Sequence, residues 1–143
     1  MNTGKTIALG AKKLTLEDVE LVATGGPIEL SAEAKARVDE SRKLVEEKAA
    51  SDTPVYGVTT GFGGLAEVKI PASDLAALQR NLILSHSAGV GRPLSREETR
   101  AMMMLRAQTL AEGFSGVRSD VIELVLEMLN AGVHPIVPEK GSV

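Results

Sequence analysis

Apolar and polar positions along this chain follow helical periods for most of its length, with short extended runs between them. Thr6 to Leu9 is an apolar run read as an edge strand. Thr15-Leu16-Glu17-Asp18 puts a hydroxyl at an N-cap and a carboxylate three positions on, a capping box. The helix it opens, 15–24, ends at Gly25-Gly26-Pro27. Ile28-Glu29-Leu30 alternates with period two and can pair with the first strand. Ser31 caps a helix over 32–50 whose apolar stripe is thin: Ala34, Val38 and Val45. Glu33–Arg37, Asp39–Lys43 and Lys43–Glu47 stand at i,i+4 with opposite charge, so its outer face reads as solvated. Ser51-Asp52-Thr53-Pro54 stops it.

The second half is more apolar. Val68-Lys69-Ile70-Pro71 is a brief extended piece. Ser73 is expected to cap a helix over 73–88, with Leu75, Leu78, Leu82 and Ile83 as its buried stripe, closed by Gly89-x-Gly91-x-Pro93. Ser95-Arg96-Glu97-Glu98 is a second capping box. Its helix, 96–112, carries Ala101-Met102-Met103-Met104-Leu105, and five apolar residues in succession predict burial on every side. The methionines read as core. Gly113 ends this helix. Ser119 opens another, 119–130, with Val121, Ile122, Val125, Met128 and Leu129 on one side and Asn130-Ala131-Gly132 at its end. His134 to Pro138 is extended and 139–143 a loop. The fold class is therefore mainly α with a few short strands, one unit over 1–143 without an internal boundary. A helix apolar all round needs more neighbours than this pattern supplies, so the chain reads as part of a larger bundle or an oligomer.

Composition narrows the function classes. The net charge is −3 and no basic block occurs, which argues against nucleic acid as a partner. Aromatic residues are 2% of the chain, too few for base-stacking platforms. There is no cysteine, which excludes disulfides, zinc–thiolate sites and a cysteine nucleophile and fits a reducing cytoplasm. No apolar run approaches the roughly 20 residues of a membrane span.

Candidate chemistry gathers in the glycine-rich loop 54–64, which holds Tyr56, the one tyrosine, among Gly57, Gly61, Gly63 and Gly64. Glycines there allow tight turns around a phenol. The loop is not a phosphate cradle, because the third glycine of a dinucleotide fingerprint and a Gly-Lys-Ser/Thr are both missing. From the residues alone, Tyr56 reads first as a packed ring on a connector with its hydroxyl hydrogen-bonded. The two histidines are His86, within Ser85-His86-Ser87, and His134. Both read as structural, no hydrolase spacing occurs, and two histidines so far apart give no metal site.

Four segments change these odds. Val55-Tyr56-Gly57-Val58-Thr59-Thr60-Gly61-Phe62-Gly63 resembles the N-terminal signature of the aromatic amino acid ammonia-lyase and aminomutase family. So do Asn81-Leu82-Ile83-Leu84-Ser85-His86-Ser87-Ala88-Gly89-Val90-Gly91, Gly113-Phe114-Ser115-Gly116-Val117-Arg118, and the run from His134 to Val143. They lie in family order at family spacing, and the similarity covers the chain from about residue 5 onward.

The resemblance implies the N-terminal portion of a large helical-bundle lyase. Its electrophile, 4-methylideneimidazol-5-one, forms from an Ala-Ser-Gly expected just after Val143. The chain is then a fragment, partnered by the rest of its polypeptide in a homotetramer with shared active sites. It implies Tyr56 as the base for the β-proton of a small amino-acid substrate, and Gly57, Gly61 and Gly63 as loop-positioning residues. An ordinary phenol, pKa about 10, is only about 1% phenolate at pH 8. His86 with Ser85 falls at the substrate-selecting position, and a Ser-His pair there looks like histidine ammonia-lyases, which form urocanate. Thr59 departs from the Asn that many of those enzymes carry. Some tyrosine aminomutases share both Thr-Thr-Gly and Ser-His-Ser-Ala-Gly, which leaves tyrosine or phenylalanine lyase and 2,3-aminomutase activity open. So does a non-catalytic helical piece.

Overall fold

The computed structural model describes residues 4–51, 55–61, 70–71 and 73–141. The elements run β1 (Ile7–Leu9), α1 (Leu16–Ala23), β2 (Ile28–Leu30), α2 (Ala32–Ala49), α3 (Leu75–His86), β3 (Val90–Pro93), α4 (Arg96–Ala111), α5 (Ser119–Asn130) and β4 (Pro138–Lys140). The mainly helical expectation holds, with helix ends within two residues of those the sequence predicts. The stop at 52–54 and the extended residues 68 and 69 lie outside the described residues.

The first three elements form a crossover unit. β1 and β2 pair in parallel, Ile7 opposite Ile28 and Leu9 opposite Leu30, as a helical connection between neighbouring strands demands. Both predicted capping boxes are present. In the first, Asp18 N donates to Thr15 Oγ1 at 3.2 Å and Thr15 N to Asp18 Oδ2 at 3.1 Å. Lys5 Nζ adds a bond to Asp18 Oδ1 at 2.5 Å, so this buried carboxylate is fully engaged. In the second, Ser95 and Glu98 exchange the same two bonds. Ser31 Oγ accepts from Ala34 N at the start of α2.

The core gathers Ile7, Leu9, Val22, Ile28, Val38, Met103, Met104, Ala107, Leu110, Ile122, Leu126 and Leu129 from β1, β2 and four helices. Its polar member is Arg100, 1% exposed. Arg100 Nη1 donates to Leu129 O at 2.7 Å, and Nε and Nη2 donate to Val22 O at 3.0 and 2.9 Å, with Ala23 O at 3.2 Å from Nε. These carbonyls belong to the last turns of α1 and α5, where helices leave acceptors unsatisfied and carry partial negative charge. Neither helix has a basic residue in its own last turn, so α4 supplies one for both. Burial depresses the pKa of this guanidinium. A second polar tie joins α5 to β2: Asn130 takes Ile28 N at Oδ1, 3.0 Å, and gives Nδ2 to Ile28 O, 2.8 Å.

Several details differ from expectation. Within this chain α4 packs on α1, α5 and α2 through Met103, Met104, Ala107 and Leu110, while Met102 and Leu105 face outward, without the further neighbours that a helix apolar all round needs. On α3, Leu78 and Leu82 are half-buried but Ile83 is 68% exposed, because none of the other described elements covers that face; the side chain of Leu75 lies outside the described part. Ser73 does not cap α3. Asp74 holds the N-cap position without a side-chain bond to the helix, and Ser73 Oγ donates to Asp74 Oδ1 instead. On α5, which Ser119 opens as expected, the buried line is Ile122, Leu126 and Leu129, with Val125 and Met128 packed beside it and Val121 at the rim. Of the predicted i,i+4 pairs on α2, none is among the described ion pairs. Arg42–Glu46 forms at 2.8 Å, Lys35 reaches Glu123 at 2.9 Å, and Arg37 turns inward to Gly10 O at 2.9 Å. Gly89-x-Gly91-x-Pro93 and the tail are a two-stranded antiparallel ribbon, β3 with β4, Val90 opposite Lys140.

Two predictions follow from this packing. Replacing Arg100 by Met in the full-length protein removes its bonds to Val22 O, Ala23 O and Leu129 O, while Gly25 N and Gly132 N still reach Val22 O at 3.1 Å and Leu129 O at 3.2 Å, a loss of about 1–3 kcal/mol. Urea unfolding should show it; a loss under about 0.5 kcal/mol would mean the carbonyls find other donors. Asp18 titrates below the usual carboxylate range, first because Lys5 hydrogen-bonds it and then because of the Thr15 N–H. A carboxyl depressed on folding stabilises above its unfolded pKa, about 3.9, and that stability is lost as pH falls through the folded value. Lys5→Met should therefore destabilise the protein at neutral pH, and the difference should vanish in strong acid. A difference independent of pH would refute the coupling.

Candidate active site

The Tyr56 turn is built from its ends. Val58 N and Thr59 N both donate to Val55 O at 3.0 Å, and Val55 N donates to Thr59 Oγ1 at 2.9 Å. Gly57 is third of the four residues Val55–Val58 and has φ +72°, the left-handed region that a side chain would strain. The turn at this position requires glycine's conformational freedom. Gly61 is buried and its carbonyl accepts from Thr60 Oγ1 at 3.1 Å. Gly63 lies outside the described residues. Thr59 and Thr60 are buried at the base of the turn, while Tyr56 is 63% exposed. The ring is therefore not part of the core.

Ser85 and His86 end α3. Ser85 Oγ donates to Leu82 O at 2.9 Å and stands 3.0 Å from His86 Nδ1, which is itself 2.9 Å from Leu82 O. A carbonyl only accepts, so His86 donates from Nδ1, and the neutral ring presents Nε2 as an acceptor. The side chains of both residues are exposed. The structure thus joins Ser85 to His86 directly and carries Tyr56 on a separate segment.

The β3–β4 ribbon fixes what lies next to this helix end. Arg92 Nε donates to Glu139 Oε2 at 2.6 Å across it. A Cβ at Gly89 would sit 2.7 Å from Pro138 Cγ, and one at Gly141, where φ is +98°, would collide with Ala88 O. Ala88-Gly89 and Gly141 are therefore in direct contact. The sequence motif around His86 and the chain's last described residue are held together by backbone that tolerates no side chain.

The other matched segments have structural work. Gly113 to Arg118 is the turn from α4 to α5. Gly116 N donates to Ser41 Oγ at 3.1 Å and Gly116 O accepts from Arg42, which seats this turn on α2. A shallow groove of about 710 Å³ beside it, lined by Arg37, Ser41, Leu44 and Phe114, contains none of the candidate residues. His134 is half-buried, with Nε2 shielded from solvent and without a hydrogen-bond partner among the described residues. Arg100, Lys5 and Asn130 are the positioning residues that sequence reasoning missed. A lone arginine inside the apolar face of α4 was the available signal for the first.

Among the described residues no helix is long and apolar enough to cross a membrane, and no cluster of three His, Asp or Glu side chains could hold a metal. Comparison with known proteins places the arrangement. A histidine ammonia-lyase of Myxococcus xanthus (strain DK1622) is 52% identical over 138 residues, 96% of this chain. The chain spans 27% of that relative's length. Among solved structures, tyrosine aminomutase from Streptomyces globisporus matches 96% of the chain with a TM-score of 0.90 at 38% identity, over 26% of its own length. Histidine ammonia-lyase from Trypanosoma cruzi matches the same share with a TM-score of 0.87, also at 38% identity, over 27% of its length. The sequence pattern of the aromatic amino acid lyases extends over residues 14–143, from the start of the first capping box onward, and the chain belongs to that family.

Proposed function

We propose that these residues form the N-terminal part of a histidine ammonia-lyase, which releases ammonia from L-histidine and leaves urocanate. The observation that carries the reading is the 52% identity, over nearly the whole chain, to an enzyme of that name. The site geometry agrees with it. His86 offers Nε2 as an acceptor, the complement of an imidazole N–H on the substrate, with Ser85 and Leu82 O fixing the ring. Tyr56 would take the β-proton at its hydroxyl oxygen. Gly57 lets the turn present that phenol outward.

The 4-methylideneimidazol-5-one expected from an Ala-Ser-Gly beyond Val143 would supply the electrophile when formed. The residues present fit such a group: Tyr56 and His86 stand outside this chain's core, and Gly141 packs at the His86 end of α3. In the same reading the enzyme works as a cytoplasmic homotetramer, and the exposed Ile83 and Leu84 of α3 are covered by the rest of the polypeptide or by another subunit. One observation favours a second outcome, a tyrosine 2,3-aminomutase: the likeness to the Streptomyces enzyme, with the Thr59-Thr60 pair. Product analysis separates the two, since urocanate and ammonia come from the first and a β-amino acid from the second.

Two substitutions in the full-length protein test the assignment. Tyr56→Phe keeps the ring and costs folding only about 1 kcal/mol. Loss of a positioned base should lower kcat by about 10² to 10⁴. Activity within threefold of the parent would refute the base role. His86→Leu should lower kcat/KM for histidine by the equivalent of about 1–3 kcal/mol and shift preference toward phenyl or phenol substrates. An unchanged preference for histidine would place selectivity elsewhere.

A further inference from the structure

We propose that Thr59 is the positioning residue for Tyr56: its hydroxyl closes the turn that aims the phenol, and any side chain able to accept a hydrogen bond at that point does the same. The inference rests on the reading of Tyr56 as the base. Thr59 is tied at its side chain, its N–H and its carbonyl. Its Oγ1 takes Val55 N at 2.9 Å, its N–H returns a bond to Val55 O at 3.0 Å, and its carbonyl takes Ile70 N at 3.0 Å. Tyr56, Gly57 and Val58 are thus spanned by a two-way clasp between Val55 and Thr59, and the clasp is anchored to a further segment. Thr59 is 4% exposed, whereas Tyr56 is 63% exposed. A β-branched side chain, stiff at χ1, therefore sits fixed at the base while the aromatic ring projects.

Geometry gives the clasp its consequence. A general base must come within about 2.6–3.2 Å of the proton it takes, and a misplacement of about 1 Å costs roughly 10²-fold in rate. Gly57 removes the steric restraint on the turn, since φ +72° is open to glycine in more than one form. The pair of bonds across the turn restrains the direction in which Tyr56 leaves it. Thr, Ser and Asn side chains all carry an oxygen that can accept a backbone N–H from this position, and Val does not.

The test is kinetic, in the full-length enzyme, with Thr59→Val, Thr59→Ser and Thr59→Asn, and with Tyr56→Phe alone and combined with Thr59→Val. Ammonia release from histidine gives kcat and KM. Thr59→Val should lower kcat by about 10- to 100-fold with KM within threefold, as for an interaction expressed in the transition state. Thr59→Ser and Thr59→Asn should stay within threefold of the parent. The combined variant should be no slower than Tyr56→Phe, because both changes act through one phenol. Thr59→Val at parental rate, with Tyr56→Phe inactive, overturns the clasp and leaves the base standing. So does a Thr59→Val loss that adds fully to that of Tyr56→Phe, or one matched by a lower folded fraction in circular dichroism. Should Thr59→Val fail to fold, Thr59→Asn decides: a folded protein slowed more than tenfold overturns the proposal. Tyr56→Phe active within threefold removes the base and the proposal together, and that arm alone tells the two failures apart.

Discussion

The guanidinium of Arg100 is the constraint on which the framework depends. A helix ends with carbonyls that nothing within it can satisfy, and α1 and α5 both end inside the protein. Water does not reach Val22 or Leu129, and neither helix brings a cation of its own. Arg100, from the middle of a third helix, donates to both. Among the described residues no carboxylate pairs with it, so two helix ends balance its charge. A planar fork of donors suits this work, whereas the compact ammonium of a lysine could not span the same carbonyls. One side chain thereby fixes the mutual position of α1, α4 and α5, and Asn130 transmits it to β2.

Against that framework, the candidate catalytic segments lie outside the core. The Tyr56 turn is held by its own backbone and by Thr59. The end of α3 is followed by a two-stranded ribbon, and Ile83 and Leu84 near that end are exposed. This division suits a site completed by other parts of a larger protein. The core supplies rigid supports, and the side chains of Tyr56 and His86 stay on the surface of this part. The third matched segment, Gly113 to Arg118, belongs to the framework, since it seats on α2.

The helices were legible because their ends are written locally. Thr15–Asp18, Ser31 and Ser95–Glu98 each carry their cap within four residues, and glycines at 25, 113 and 132 stop the chain with positive φ. Pairing of β1 with β2 was legible from the alternation at 28–30, and the structure adds its parallel sense. What failed was everything that depends on distant partners. The run Ala101 to Leu105 is apolar on all sides, but α1, α2 and α5 cover Met103 and Met104 and leave Met102 and Leu105 outside within this chain. The ribbon of β3 and β4 joins residues nearly fifty positions apart, and no local signal marks Arg92 for Glu139. Ser73 is a good cap by type but lies one position too early, and Asp74 takes the place. Tyr56 and His86 were found by resemblance to family motifs. Their surroundings, a clasped turn and a ring fixed through Nδ1, appear only in the structure.

The most direct measurement is a crystal structure of the full-length protein with histidine bound. The β-carbon should lie about 3–3.5 Å from the Tyr56 hydroxyl, the separation of a reacting pair, with the substrate imidazole against His86 Nε2. A histidine bound with Tyr56 out of reach of its β-carbon, or with its imidazole held by residues other than His86, would contradict the assignment.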